Sequence, residues 1–153
     1  IPDSLVAKIE AAANFNQGFM TTELAAASIL DMKWHELTSA EGLDPMAFEK
    51  AACEEMGLID EIIPRYRSTY FAHIFSGGYS AGYYSYLWAE VLDKDAFELF
   101  KEKGIFNREV SDSFRENILS KGGAEDASVL YRNFRGHDPE PQALMNKLGL
   151  VRK

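Results

Sequence analysis

Cysteine and histidine are scarce in this chain, and their scarcity excludes several classes of site. Cys53 is the only cysteine among 153 residues, so no internal disulfide can form. The three histidines, His35, His73 and His137, are far apart in the sequence. His35 precedes a glutamate as in a His-Glu-x-x-His zinc helix, but Ser39 stands where the second histidine is required. We therefore predict no metal site within this chain.

Basic residues are too few for a nucleic-acid-binding surface to be expected. The 16 Lys and Arg residues are outnumbered by 24 Asp and Glu residues, which gives a formal net charge of −8. Nucleic acids and anionic membranes are bound through basic patches, so neither is expected as a partner. No apolar run approaches the roughly 18 residues that a membrane-spanning helix needs.

Helical periodicity dominates the chain, and no segment shows the apolar alternation of a β-strand. We therefore predict an all-α, multi-helix domain, with Gly18 separating the first two helices. We predict eight helices. The first ends near residue 15 and the fourth, a short one, ends at 75; the others span 23–37, 45–56, 79–101, 108–120, 125–134 and 141–148.

The most informative part of the chain is the stretch 70–88, which contains His73 and which we call the aromatic segment. Six of the seven tyrosines lie between residues 66 and 86. On the helix predicted from residue 79, Tyr79, Tyr83 and Tyr86 are spaced i, i+4 and i+7, so they would share one face. Such a stripe is often a core face, although buried tyrosine hydroxyls need hydrogen-bond partners and phenylalanine would fill a core more simply.

Two adjacent glycines, Gly77 and Gly78, separate His73 from these tyrosines. Glycines permit backbone motion and close approach of a ligand. Tyrosine has a reference pKa of about 10, so at neutral pH it is a donor suited to a carbonyl oxygen that gains charge. We therefore expect this segment to bind a polar backbone or a developing oxyanion.

The same segment resembles the thimet-oligopeptidase (M3) family of zinc metallopeptidases, most closely its bacterial peptidyl-dipeptidase and oligopeptidase A members. The matching strings are Phe-Ala-His-Ile-Phe at 71–75, Gly-Gly-Tyr at 77–79, Ala-Gly-Tyr-Tyr at 81–84 and Tyr-Leu-Trp at 86–88. Further similarity includes Leu-Asp-Met-Lys-Trp-His at 30–35 and Pro-Arg-Tyr-Arg-Ser at 64–68. The resemblance covers nearly the whole chain and corresponds to the C-terminal region of the family.

The resemblance implies a helical fold in which two halves flank a deep channel that admits short peptides. Residues 1–153 would be the C-terminal helical portion and part of one channel wall, an expectation with which the start at Ile1 agrees. The family's zinc ligands precede this region, which implies zinc in the full-length enzyme and none bound here. The implied partners are short peptides and the missing N-terminal part. Without that part, exposed apolar surface would favour self-association.

The family's functional positions are carried over residue by residue. His73, Tyr79 and Tyr86 match positions that contact substrate and the tetrahedral intermediate, and we assign Tyr86 as the oxyanion donor.

Four further residues are expected to bind substrate. Gly77 and Gly78 match a glycine-rich loop that adjusts around peptide, and Tyr83 lies on the same predicted face as the catalytic tyrosines. Arg67 can hold a substrate carboxylate, with a structural ion pair as the open alternative.

Two hypotheses of function follow from the sequence. The first is the C-terminal part of a zinc metallopeptidase, a peptidyl-dipeptidase or oligopeptidase that hydrolyses short peptides. The alternative is a stand-alone, non-catalytic helical module that binds peptides or docks onto a partner. The cytoplasm is the expected compartment, with the periplasm as the alternative.

Overall fold

The computed structural model describes residues 1–150, which form helices joined by turns. The α-helices are α1 (Asp3–Ala12), α2 (Gln17–His35), α3 (Pro45–Glu55), α4 (Ala72–Phe75), α5 (Ser85–Lys103), α6 (Arg108–Phe114), α7 (Ala127–Arg135) and α8 (Gln142–Leu148). A 3-10 turn covers Ser68–Tyr70, and a π-helical turn covers Arg115–Leu119. No strand occurs within residues 1–150, and the all-α prediction is confirmed for them.

The chain divides into two compact units, Ile1–Leu87 and Trp88–Lys153, each with its own hydrophobic core. The core of the first unit consists of Ala27, Phe71, Ile74 and Tyr83. The core of the second consists of Ala96, Val110, Tyr131 and Phe134. Three of the four residues in the first core come from the aromatic segment, so the same stretch of chain both fills this core and carries the candidate site.

Two predicted helix starts, at residues 45 and 108, are confirmed, and each is capped by a side chain. The Asp44 carboxylate accepts a hydrogen bond from the backbone N–H of Ala47 at 2.7 Å, and Pro45 occupies the first turn of α3. The Asn107 side chain likewise accepts from the N–H of Val110 at 3.2 Å and begins α6. These starts depend on contacts within four residues, which is why the sequence alone identifies them.

Helix α2 begins six residues earlier than predicted, at Gln17 instead of residue 23. Gly18 lies inside the first turn of α2 and does not separate the first two helices, which corrects the prediction. The break is made by Asn16, whose φ of 56° is left-handed and turns the chain between α1 and α2. Thr21 accepts a hydrogen bond from the side chain of Gln17 at 3.0 Å within the helix.

The prediction of a helix from residue 79 was also wrong, because α5 begins at Ser85. Ala81 has a left-handed φ of 53°, which is incompatible with a continuous right-handed helix. Tyr79 and Tyr83 therefore precede α5, and the three tyrosines do not share one helix face. Across residues 1–150, no helix is both long and apolar enough to cross a membrane.

Asp95 is a buried hydrogen-bond acceptor in the second unit. The Tyr131 hydroxyl donates to the Asp95 carboxylate at 2.7 Å, and Asp95 is only 4% exposed. The Arg135 Nε donates to the carbonyl of Asp95 at 3.1 Å. Burial, with the neighbouring carboxylate, raises the pKa of Tyr131, so this hydroxyl remains a donor at neutral pH.

We expect Tyr131→Phe to lower the free energy of unfolding by about 1–3 kcal/mol, because the buried Asp95 loses a donor. Chemical denaturation followed by circular dichroism measures the change. The raised pKa means that this stabilisation is present below the unfolded-state pKa of about 10 and is lost as pH rises through the folded-state pKa. The deficit of the variant should therefore shrink at alkaline pH. Tyr70→Phe, at a tyrosine that is 57% exposed, is the control, and an equal loss there would contradict the prediction.

Candidate functional site

The structure brings His73, Tyr79, Tyr83 and Tyr86 together, and we call these four residues the aromatic cluster. The His73 ring centroid lies 5.9 Å from that of Tyr79, 5.6 Å from Tyr83 and 6.3 Å from Tyr86. The Tyr79 and Tyr86 rings stack at 5.0 Å with 17° between their planes. Tyr83 and Tyr86 are also 5.0 Å apart, in a tilted arrangement. The three tyrosines therefore meet around His73 without sharing the helix face that the sequence predicted.

Turns bring the cluster together after α4. The backbone N–H of Tyr79 donates to the carbonyl of His73 at 3.1 Å. The Ser80 hydroxyl donates to the carbonyl of Ile74 at 2.6 Å. Both bonds fold the chain back onto α4 and place Tyr79 beside the histidine. His73 lies on α4 and Tyr86 in the first turn of α5, so two helix ends and the intervening turn supply the cluster.

A carboxylate from α2 binds the same turn from below the surface. Asp31 is fully buried, and its Oδ1 accepts from the N–H of Ala81 at 3.0 Å. Its Oδ2 accepts from the N–H of Tyr83 at 2.9 Å. These hydrogen bonds offset the free-energy cost of the left-handed conformation at Ala81, which is about 1–2 kcal/mol for a non-glycine residue. Sequence reasoning gave Asp31 no role, although an aspartate between the apolar residues Leu30 and Met32 was an available signal.

The cluster has an exposed side and a buried side. Tyr79 and Tyr86 are 36% and 37% exposed, so their rings are accessible to a ligand. Tyr83 is only 2% exposed and packs edge-on against Phe71 at 4.8 Å between ring centroids. His73 is half-buried and contacts Tyr66, with 4.7 Å between ring centroids. Tyr83 therefore supports the exposed rings from within the core.

The hydroxyls of Tyr83 and Tyr86 are held in their protonated form. Hydrogen bonding with Tyr79, followed by desolvation and repulsion between neighbouring phenols, raises the pKa of Tyr86 to about 12. Burial raises the pKa of Tyr83, with Arg65 opposing the shift in part. At neutral pH both side chains are therefore neutral hydrogen-bond donors.

Gly77 and Gly78 have different surroundings despite being adjacent. A Cβ on Gly77 would lie 2.7 Å from the carbonyl oxygen of His73 and 3.2 Å from its Cα, both backbone atoms. A Cβ on Gly78 would meet nothing within 4 Å. Only the first glycine is required by close packing against α4, and the second is free of steric constraint.

Arg67 forms an ion pair with a buried carboxylate. Its Nε donates to the carboxylate of Glu49, which is 2% exposed. The other carboxylate oxygen accepts from the N–H of Ser68 at 2.6 Å, and the Ser68 hydroxyl accepts from the Trp34 indole at 2.9 Å. The structural alternative for Arg67 is thus observed, and its substrate-binding role stays a prediction.

Two other reactive side chains within residues 1–150 are Cys53 and His35. Burial, together with the charge of Glu49, raises the pKa of Cys53, which disfavours a thiolate nucleophile. His35 Nδ1 lies 2.8 Å from the carboxylate of Asp31. In residues 1–150, His, Cys, Asp and Glu side chains nowhere form a group of three that could hold a metal ion. This part of the chain therefore does not fit a catalytic zinc, which needs three protein ligands.

Comparison with known proteins finds similar sequences over nearly the whole chain. The sequence model of Peptidase family M3 matches residues 1–150. Dipeptidyl carboxypeptidase of Escherichia coli (strain K12) is 44% identical over 153 residues, covering 98% of this chain and 22% of that protein. Oligopeptidase A of the same organism is 56% identical over 80 residues, covering 52% of this chain and 12% of that protein. Probable cytosolic oligopeptidase A of Arabidopsis thaliana is 32% identical over 160 residues, covering 99% and 22%.

These matches confirm the resemblance that the aromatic segment predicted. The chain spans about a fifth of the length of these relatives.

We expect Gly77→Ala to destabilise the first unit by about 1–3 kcal/mol, because the added methyl group would overlap backbone atoms of α4 that cannot move independently. The matched control is Gly78→Ala, for which the structure offers open space. Thermal and chemical denaturation of both variants measure the difference. A Gly78→Ala variant that loses as much stability as Gly77→Ala would contradict the steric argument.

Proposed function

Since the chain belongs to peptidase family M3, we propose that it is the C-terminal part of a zinc metallopeptidase that hydrolyses short peptides. It would act as a peptidyl-dipeptidase or an oligopeptidase, in line with the printed names of its relatives. The observation that carries the proposal is the aromatic cluster, in which two accessible tyrosines lie beside a half-buried histidine. This part of the chain would form one wall of a peptide-binding channel.

Tyr86 is the proposed donor to the oxyanion that forms when the scissile carbonyl is attacked. Its raised pKa, about 12, keeps the proton on the hydroxyl at neutral pH, as such a donor requires. Stacking against Tyr79 restricts the ring before substrate arrives, so the donor is oriented in advance. Preorganised donors stabilise developing charge more than mobile ones do.

Tyr79 and His73 are the proposed contacts to the peptide backbone. Both side chains offer hydrogen-bonding atoms beside Tyr86, and the histidine ring contacts both tyrosines. Tyr83 would support substrate binding from the core side, where it is buried. Contacts to the backbone suit an enzyme that accepts many peptide sequences, because every peptide offers the same N–H and C=O groups.

Gly78 is the proposed point of adjustment in the loop, since no neighbouring atom restricts it. Gly77 would fix the loop against α4. Arg67 would contribute to carboxylate binding only through guanidinium nitrogens other than the Nε that pairs with Glu49.

The catalytic zinc is proposed to be held by another part of the same polypeptide, because the described residues do not fit it. Bound zinc would supply Lewis-acid polarisation of the scissile carbonyl. The roles of this chain are confined to binding the peptide and donating a hydrogen bond. We place the enzyme in the cytoplasm, as one relative's name suggests for that relative.

The size of the native polypeptide tests the proposal most directly. An antibody raised against this chain should detect, in source cells, a band several times larger than 17.2 kDa. A band of about 17.2 kDa would favour the alternative, a helical module that binds peptides without catalysis.

We expect Tyr86→Phe, in the native polypeptide, to lower kcat by about 10²–10³-fold with little change in KM or zinc content. The change removes only the donating oxygen and leaves the stacked ring in place. Steady-state kinetics on a short fluorogenic peptide and metal analysis measure these quantities. Tyr84→Phe is the matched control, since Tyr84 is 54% exposed and lies outside the cluster. A normal kcat for Tyr86→Phe would reject the assignment.

A further inference from the structure

We propose that Asp31 is a positioning residue that holds the aromatic cluster in its active arrangement. It acts through the backbone of the turn and not on the substrate. The inference rests on the proposed function for its kinetic consequence. The anchoring itself is a property of the first unit and is tested separately below.

Both carboxylate oxygens of Asp31 accept hydrogen bonds from the backbone of the turn. Its two oxygens accept from the N–H groups of Ala81 and Tyr83, at 3.0 and 2.9 Å, on either side of Gly82. Asp31 is 0% exposed, so these hydrogen bonds replace the water that a carboxylate would otherwise bind. A side chain with one acceptor could satisfy only one of the two N–H groups.

The imidazole of His35 lies beside this carboxylate. Its Nδ1 lies 2.8 Å from Asp31 Oδ1 and 2.9 Å from the Asp31 carbonyl oxygen. Both oxygens are acceptors, so the Nδ1 atom carries the proton and donates. Because His35 is one helical turn after Asp31 on α2, its ring lies against the carboxylate and the carbonyl of the same residue.

The turn that Asp31 holds competes with a helix. The spacing of Tyr79, Tyr83 and Tyr86 favours a helix from residue 79, and the structure instead begins α5 at Ser85. The difference is made at Ala81, which adopts a left-handed φ of 53° that alanine ordinarily avoids. The carboxylate binds the N–H groups in the turn conformation and therefore selects the turn over the helix.

The arrangement of the aromatic cluster depends on the turn forming in place of the helix. Tyr79 lies before the turn and Tyr86 after it, yet their rings stack at 5.0 Å. If the left-handed residue reverted to a right-handed conformation, the chain direction before Ala81 would change and Tyr79 would leave Tyr86. Displacement of a positioned group by about 1 Å costs on the order of 10²-fold in rate.

The test uses Asp31→Asn in the native polypeptide. Asparagine has the same size but presents an NH₂ group to one of the two backbone N–H groups. We expect faster hydrogen–deuterium exchange in peptides that contain Ala81 and Tyr83, and a loss of about 10²-fold in kcat with unchanged zinc content. Asp95→Asn is the control, because Asp95 is a carboxylate of similar burial in the second unit. It should leave the exchange of those peptides and kcat unchanged.

A second variant separates positioning from general stability. Glycine adopts a left-handed φ without strain, so Ala81→Gly added to Asp31→Asn should recover about tenfold in kcat, or restore folding if Asp31→Asn alone does not fold. Unchanged exchange in Asp31→Asn, the same kcat as Asp95→Asn, or a double variant without recovery would overturn the proposal. If the wild-type polypeptide hydrolyses no peptide, the proposed function fails, and the exchange rates alone decide whether Asp31 anchors the turn.

Discussion

Two backbone N–H groups that share one buried carboxylate determine the form of the whole aromatic segment. The carboxylate of Asp31 comes from α2, about fifty residues before the turn that it binds. Around this contact, the core residues Phe71, Ile74 and Tyr83 pack on one side of the segment. Tyr79 and Tyr86 remain accessible on the other. Core packing and ligand access are thus opposite faces of one short stretch of chain.

Two buried carboxylates, those of Glu49 and Asp31, bind backbone N–H groups in the first unit. Glu49 binds Arg67 and the N–H of Ser68 where the chain enters the aromatic segment, and Asp31 binds the turn where it leaves α4. Both carboxylates are almost completely buried, and both are satisfied by backbone donors. A segment that must expose several polar rings cannot be held by apolar burial alone, and these two groups supply directional restraint at its beginning and near its end.

Much of the fold follows from local sequence, and the exceptions have a common cause. Asp44 and Asn107 begin their helices through contacts within four residues, so the sequence identified both starts. Asn16 and Ala81 adopt left-handed backbone angles that composition and periodicity do not specify. At Ala81 the stabilising partner is distant in sequence, and a periodicity argument therefore extended the helix too far. His73, Tyr79 and Tyr86 were predicted through family resemblance and Tyr83 through helical spacing. Asp31, which carries no ring and is buried, was not predicted.

The neutral state of the Tyr86 hydroxyl limits what can be concluded from the pH dependence of the reaction. A phenol with a pKa near 12 does not lose its proton over the range in which most peptidases are assayed. An alkaline decline in rate at pH 8 or 9 would then have to originate in another ionisation, such as that of the nucleophile or the metal ligands. In the proposed enzyme, oxyanion donation by Tyr86 would contribute the same factor to the rate at every pH of the profile. Removing the hydroxyl would then reveal that factor, whereas changing the pH would not.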